Sequence, residues 1–350
     1  MERFGQQRRG RRRLSWPHAG HRPVYAALDL GTNNCRLLIA KPATEGFRVI
    51  DAFSRIVRLG EGLGLDQRLA EPAVLRTIEA LEICAEKMRR RGVTHARAVA
   101  TEACRRALNG ARFLARVAAE TGLELEVISP AEEARLAVAG CAPLLDRAVP
   151  FAIVFDIGGG STELIWLAVG EGGEARMLAS VSLPFGVVQL AERYGFGEIT
   201  GGAYDEILGD VSAALRPFDL LHELSRALGQ GQVQMLGTSG TVTTIAGVHL
   251  ALPRYDRSRV DGCYLAFDAL NGAIKQLRDM SHQERMAHPC VGRERVDFVL
   301  PGLAILEAIC RAWPVGRLRV ADRGLREGIL LGLMERDRHR HAVGAAGARL

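Results

Sequence analysis

Apolar residues fall into short runs separated by glycine-rich or polar turns, and a few longer stretches carry helical spacing. The run from Phe151 to Phe155 reads as a buried strand. It leads to Asp156, then a turn of Gly158, Gly159, Gly160, Ser161 and Thr162, then Glu163 and a second apolar run, Leu164 to Val169. The same pattern occurs earlier, where Val24 leads into L-D-L-G-T-N-N-C-R-L-L-I-A, residues 28–40. Asp29 matches Asp156, Gly31 matches Gly158 and Leu37 matches Leu164, each 127 residues on. A unit repeated at a fixed offset marks an internal duplication. The sequence therefore predicts an α/β protein of two similar domains facing one another.

The spacing predicts an amphipathic helix over 72–91, with Leu75, Ile78, Leu81, Cys84 and Met88 on one face and Gly92 closing it. A short strand from Arg97 to Ala100 leads to Thr101, placed to cap a helix carrying Arg105 and Arg106. Ser129 is an N-cap with Pro130 at the first helical position, and Glu132 completes a capping box. Glu133 has no such duty. Residues 203–228 read as largely helical, as do 266–279, 281–288 and 302–312. A strand from Val233 to Leu236 runs into G-T-S-G-T-V-T-T, and one from Leu318 to Ala321 precedes Asp322-Arg323-Gly324 and a last helix to about Arg336. No low-complexity linker separates the halves, which puts a hinge near residues 140–150. The predicted division is a disordered basic tail at 1–22, domain I at 23–145 completed by a C-terminal helix at 323–337, and domain II at 146–322.

Composition narrows the class. With 350 residues, 48% hydrophobic and 25% charged, the chain can bury two cores. No apolar run approaches the ~20 residues of a membrane span. The seven cysteines are odd in number and contain no C-x-x-C pair, which argues against a disulfide framework or zinc site and for a reducing cytoplasm. The net charge of +6 is the surplus of residues 1–22, seven arginines against one acid, so the remainder is formally neutral. That segment lacks the apolar centre of a secretion signal and reads as a solvated tail, with contact to nucleic acid or polyphosphate as the alternative. Only three lysines occur and none follows a glycine loop, which excludes a G-x-x-x-x-G-K-[ST] phosphate loop.

Glycine turns let backbone N–H groups approach an anion without a Cβ in the way, and carboxylates beside them suit a hard cation such as Mg²⁺. Two such turns facing across a cleft can grip one chain of phosphates from both sides. Gly237, Thr238, Ser239, Gly240 and Thr241, between a strand and a helix N-terminus, make a third candidate phosphate loop. R-L-G-E-G-L at 58–63 reads as a mobile glycine loop carrying a cation and an acid, and L-P-F-G-V-V at 183–188 places another glycine before a helix.

These motifs, together with T-E-A-C-R-R-A-L, I-S-P-A-E-E-A-R-L and D-R-G-L-R-E-G-I-L, resemble the exopolyphosphatase/guanosine pentaphosphate phosphatase (Ppx/GppA) family of the actin–hexokinase–Hsp70 superfamily. The likeness runs from residue 28 to 331 in one ordered set. It implies two ribonuclease-H-like, actin-like ATPase domains with mixed sheets flanked by helices and an active site in the interdomain cleft. It also implies removal of the terminal phosphate of polyphosphate, or of the 5′ γ-phosphate of guanosine pentaphosphate, with Mg²⁺ or another divalent cation. The family's catalytic glutamate falls on Glu133, its paired carboxylates on Asp156 and Glu163, which would also hold the metal, and its arginine on Arg105. Phosphate binding would fall to Gly31, Thr32, Asn33, Asn34 and Arg36, to residues 158–162, and to residues 237–241. Longer family members carry a further C-terminal helical domain, so long-chain processivity is left open, as is a homodimer. The competing readings are a sugar or acid kinase of the same superfamily and a non-catalytic binder of guanosine pentaphosphate or another polyanion.

Overall fold

Two hairpins with glycine turns begin two sheets of one design. The computed structural model describes residues 23–347 apart from 45, 197 and 198, so the predicted tail at 1–22 lies outside the described residues. The first half runs β1 (Tyr25–Leu30), β2 (Asn34–Pro42), β3 (Phe47–Ile56), α1 (Leu63–Asp66), α2 (Glu71–Arg90), β4 (His95–Ala100), α3 (Glu102–Arg106), α4 (Gly110–Thr121), β5 (Glu126–Val127) and α5 (Pro130–Cys141). The second begins with β6 (Phe151–Ile157), β7 (Thr162–Val169), β8 (Ala175–Leu183), α6 (Val187–Tyr194), α7 (Gly201–His222), α8 (Leu224–Gly229) and β9 (Val233–Thr238). It continues through α9 (Gly240–His249), α10 (Arg257–Val260), β10 (Tyr264–Ala266), α11 (Phe267–Asp279), α12 (His282–Ala287), α13 (Val296–Ala312) and β11 (Arg317–Ala321) to α14 (Leu325–Gly347). No helix among the described residues is long and apolar enough to cross a membrane.

The first sheet has the order β3-β2-β1-β4-β5, and the second has β8-β7-β6-β9-β11 with β10 added at its far edge. In both, the hairpin strands pair antiparallel and the next strand joins the first in parallel. The duplication reaches fine detail. A register shift lies at Ile39/Ala40 of β2 and another at Trp166/Leu167 of β7, again 127 residues apart.

Alternation along each central strand feeds two faces. In β1, Ala26, Leu28 and Leu30 join a core with α2 and α4, while Tyr25 and Ala27 meet Leu136 of α5 and Leu325, Ile329, Leu330 and Met334 of α14. In β6, Ile153, Phe155 and Ile157 enter the large core of the second half, while Ala152 and Val154 meet Ala134, Val138 and Cys141 of α5. Helix α5 thus lies between the sheets. It crosses α14 at glycines: a Cβ on Gly140 would overlap the Gly324 carbonyl, and one on Gly328 the Leu136 carbonyl.

Several sequence expectations change. Leu75 is 45% exposed, because α2 turns its buried stripe through Val74, Ile78, Leu81, Cys84 and Met88. Thr101 makes no side-chain cap. Ser129 does cap α5, accepting from the Glu132 amide at 3.2 Å, but the Glu132 carboxylate turns to Arg97 and Arg135 and no box closes. A capping box does form at Ser281 and Glu284, at the head of α12. Helix α13 starts at Val296 and runs through Pro301, where the sequence reading began it after the proline. The stretch 203–228 breaks at Glu223, which takes φ 51° between α7 and α8.

Candidate active site

The two glycine turns meet face to face. In the first, the Gly31 amide donates to the Asn34 carbonyl at 2.9 Å; in the second, the Gly158 amide donates to the Ser161 carbonyl at 2.9 Å. Cβ atoms on Gly159 and Gly160 would lie 3.2 Å from Asn33 Cβ and 2.8 Å from Thr32 Oγ1, so bare glycine backbone is what permits this approach. The turn carbonyls point away and are tied down: Asn33 accepts from Val57 and Arg58, Thr32 from Gly60, Gly158 from Val187 and Gly159 from Val188. Among the described residues no acceptor takes the N–H of Thr32, Asn33, Gly159, Gly160 or Ser161. Amides left over in this way form a concave anion site.

The turns open into a cleft of about 160 Å³ that also reaches Asn34, Arg36, Glu133, Asp156, Glu163, Ser239, Gly240 and Thr241. Ser239 holds φ 134°, a conformation native to glycine, and its side chain caps α9 by accepting from Val242. The α9 N-terminus therefore points its amides at the cleft edge. Three expected phosphate ligands lie behind the lining. Thr162 Oγ1 donates to the Phe185 carbonyl at 2.6 Å and Thr238 Oγ1 to the Arg323 carbonyl at 2.9 Å. Gly237 is a packing glycine, since a Cβ there would stand 2.5 Å from the Phe155 ring.

Strand register places the charged groups. One row across the second sheet reads Thr238, Asp156, Glu163, Ser182; the matching row of the first reads Val99, Asp29, Arg36, Ser54. The first hairpin thus sets a carboxylate opposite an arginine, and the second sets two carboxylates opposite each other. Burial pushes the Asp156 carboxyl up to about 7, and the Glu163 charge adds to the rise. Burial also raises Glu163, against hydrogen bonds from Ser161 at 2.6 Å and Ser182 at 2.9 Å to its Oε1. Asp29 is raised by burial too, and the Arg36 charge opposes this most strongly.

Glu133, on the first turn of α5, is raised to about 8 by burial and by the Glu163 charge. Arg105 holds it at 2.9 Å and also grips Glu102 at 2.9 Å and the Ile128 carbonyl at 2.7 Å. The guanidinium of Arg105, which the resemblance set at the site, is therefore engaged as an internal brace. Five polar lining residues escaped the sequence reading of the site: Asp29, Thr101, Glu102, Thr244 and Arg295. The 127-residue offset to Asp156 could have singled out Asp29, and the i,i+3 spacing to Arg105 could have singled out Glu102. Thr244 and Arg295 carry no such signal.

Two similar α/β domains whose glycine turns converge on a carboxylate-lined cleft define an actin-like, two-domain architecture. The chain belongs to the Ppx/GppA phosphatase family, whose model matches residues 38–337. It is 29% identical over 312 residues to the guanosine-5′-triphosphate,3′-diphosphate pyrophosphatase of Aeromonas hydrophila, a match covering 89% of this chain and 60% of that protein. The chain thus spans about three-fifths of that relative's length. A Haemophilus influenzae protein provisionally named an exopolyphosphatase is 29% identical over 317 residues, 90% of this chain and 93% of that one. The crystal structure of the Aquifex aeolicus member of the family matches with a TM-score of 0.72 at 29% identity, covering 90% of this chain and 98% of that one.

Proposed function

We propose that this chain is a divalent-cation-dependent phosphohydrolase that releases the terminal phosphate of inorganic polyphosphate or the 5′ γ-phosphate of guanosine pentaphosphate. One observation carries the reading: Glu133, raised to about 8 and braced by Arg105, lines the same cleft as two facing turns with unused amides. A group that titrates near neutrality is well matched to take a proton from water.

Asp156 and Glu163 would hold the cation. Among the described residues no three His, Cys, Asp or Glu side chains converge as a ready metal centre. Mg²⁺ needs only one or two carboxylates when substrate phosphates complete its shell. The donor set fits, because the carboxylates of Asp156 and Glu163 stand opposite each other in the strand register, and Asn33 Oδ1, lining the same cleft, is buried without a hydrogen-bond partner. When bound, the cation neutralises charge on the oxygens of the transferring phosphoryl group.

The chain's own groups do the rest. The amides of Thr32, Asn33, Gly159, Gly160 and Ser161, with the α9 N-terminus, hold the phosphates. Glu133 orients a water and takes its proton as the water oxygen bonds to the terminal phosphorus. The anhydride oxygen of the remaining chain leaves with the electrons of the broken bond. Arg105 keeps the Glu133 carboxylate aimed while this happens.

The test is phosphate release from long-chain polyphosphate and from guanosine pentaphosphate in parallel, with Mg²⁺ and with EDTA, and no sugar or acid acceptor present. Release from one or both, abolished by EDTA, is expected. Phosphate that moves only when an acceptor is supplied would replace the hydrolase with a phosphotransferase.

A further inference from the structure

We propose that Ser182 is a positioning residue that sets the orientation of Glu163 for a divalent cation. The inference rests on the reading of Glu163 as a cation ligand. Ser182 lies on β8, directly across from Glu163 on β7. Its hydroxyl donates to Glu163 Oε1 at 2.9 Å, and the Ser161 hydroxyl donates to the same oxygen at 2.6 Å. Two donors on one oxygen fix the roll of the carboxylate about its long axis. Both are spent on Oε1, which leaves Oε2 for the cleft. Ser161 belongs to the glycine turn and shares that turn's conformation, whereas Ser182 stands on a strand and supplies the fixed reference.

The fold contains its own control. Ser54 occupies the equivalent place in the first sheet, across from Arg36, yet it is exposed and makes no side-chain hydrogen bond among the described residues. The same residue type at the same sheet position is engaged only where the neighbour is the glutamate.

Hydrogen-bond partners of a metal ligand typically govern ~10- to 100-fold in metal affinity. Mn²⁺ binding to the full chain, read by the loss of the free-ion electron paramagnetic resonance signal, measures this without turnover. Ser182→Ala should bind Mn²⁺ about 10-fold or more weakly, while Ser182→Thr, which keeps the hydroxyl on a residue suited to strands, and Ser54→Ala should bind as the parent does. If Ser182→Ala does not fold, Ser182→Cys keeps the size with a much weaker donor and serves the same comparison. Parent-like binding by Ser182→Ala, with binding lost in Glu163→Gln, would overturn the role of Ser182 alone. Parent-like binding by Glu163→Gln would remove Glu163 as a ligand and overturn both readings.

Discussion

At the residue scale the neighbours Glu132 and Glu133 sit in opposite electrostatic settings. Arg135 and Arg97 hold the Glu132 carboxyl down at about 2, whereas burial and Glu163 push Glu133 the other way. Replacing Glu132 by Ala should cost on the order of 1 kcal/mol and leave turnover largely intact, since the Ser129 cap needs only its backbone amide. Because its carboxyl is depressed on folding, the contribution of Glu132 is present above the ordinary carboxylate range and fades as pH falls toward 2. Glu133→Gln should lower kcat by ~10²- to 10⁴-fold with the melting temperature near that of the parent. Steady-state kinetics and thermal melts on both variants check the pair; a dead Glu132→Ala beside an active Glu133→Gln would reverse the assignment. The start of α5 was legible in the sequence because Ser129 and Pro130 mark it, but the capping box expected of Glu132 gave way to pairs with Arg97 and Arg135; the pairing of Asp156 with Glu163 was legible too. The brace from Arg105 to Glu133 was not, since residues 28 apart meet only through the β4–α3 turn. Nor was the fate of Gly237, because a glycine needed for packing under Phe155 spells the same as one needed for phosphate.

Among the elements, the crossing of α5 and α14 carries the largest mechanical demand. Helix α5 presents Glu133 at its first turn, so its seat on α14 sets where that carboxylate stands. Gly140→Ala would gain ~1 kcal/mol of helix propensity but force a Cβ into the Gly324 carbonyl, and backbone cannot move aside as a side-chain tip does. A net loss of ~1–3 kcal/mol is expected, with a drop in kcat that exceeds any change in KM. Gly209→Ala, inside α7 with open space at its Cβ, should instead raise the melting temperature. If both alanines stabilised, the crossing would be looser than the geometry shows. Sequence spacing located most helices but misplaced the start of α13. Proline normally ends a helix pattern, yet Pro301 sits early in α13 and is itself buried, so packing overrode local propensity. In the same way Leu75 follows helical spacing but falls one position outside the stripe that the sheet covers.

For the whole molecule, the cleft concentrates Asp29, Glu133, Asp156 and Glu163, all raised on folding. Across the interval between the ordinary carboxylate range and about 8, the folded state holds more protons than the unfolded chain. Stability in EDTA should therefore fall as pH rises through that interval, and Mg²⁺ should flatten the fall by favouring the ionised cleft. Thermal melts from about pH 5 to about pH 8, with and without the ion, check this; a flat profile in EDTA would mean that water already solvates the carboxylates. Two domains and their shared cleft were legible because the duplicated hairpins are spelled out twice, whereas the order of strands within each sheet was not. The electrostatic difference between the copies has a further consequence. If two separate, identical chains paired about a symmetry axis, the residue at position 36 and its counterpart at 163 would have to be the same amino acid. Such a dimer could offer its ligand matched arginines or matched glutamates, never one of each. Joining the copies into a single polypeptide frees the positions to diverge, so that one hairpin keeps Arg36 while the other keeps Glu163, and the cleft has two chemically distinct sides.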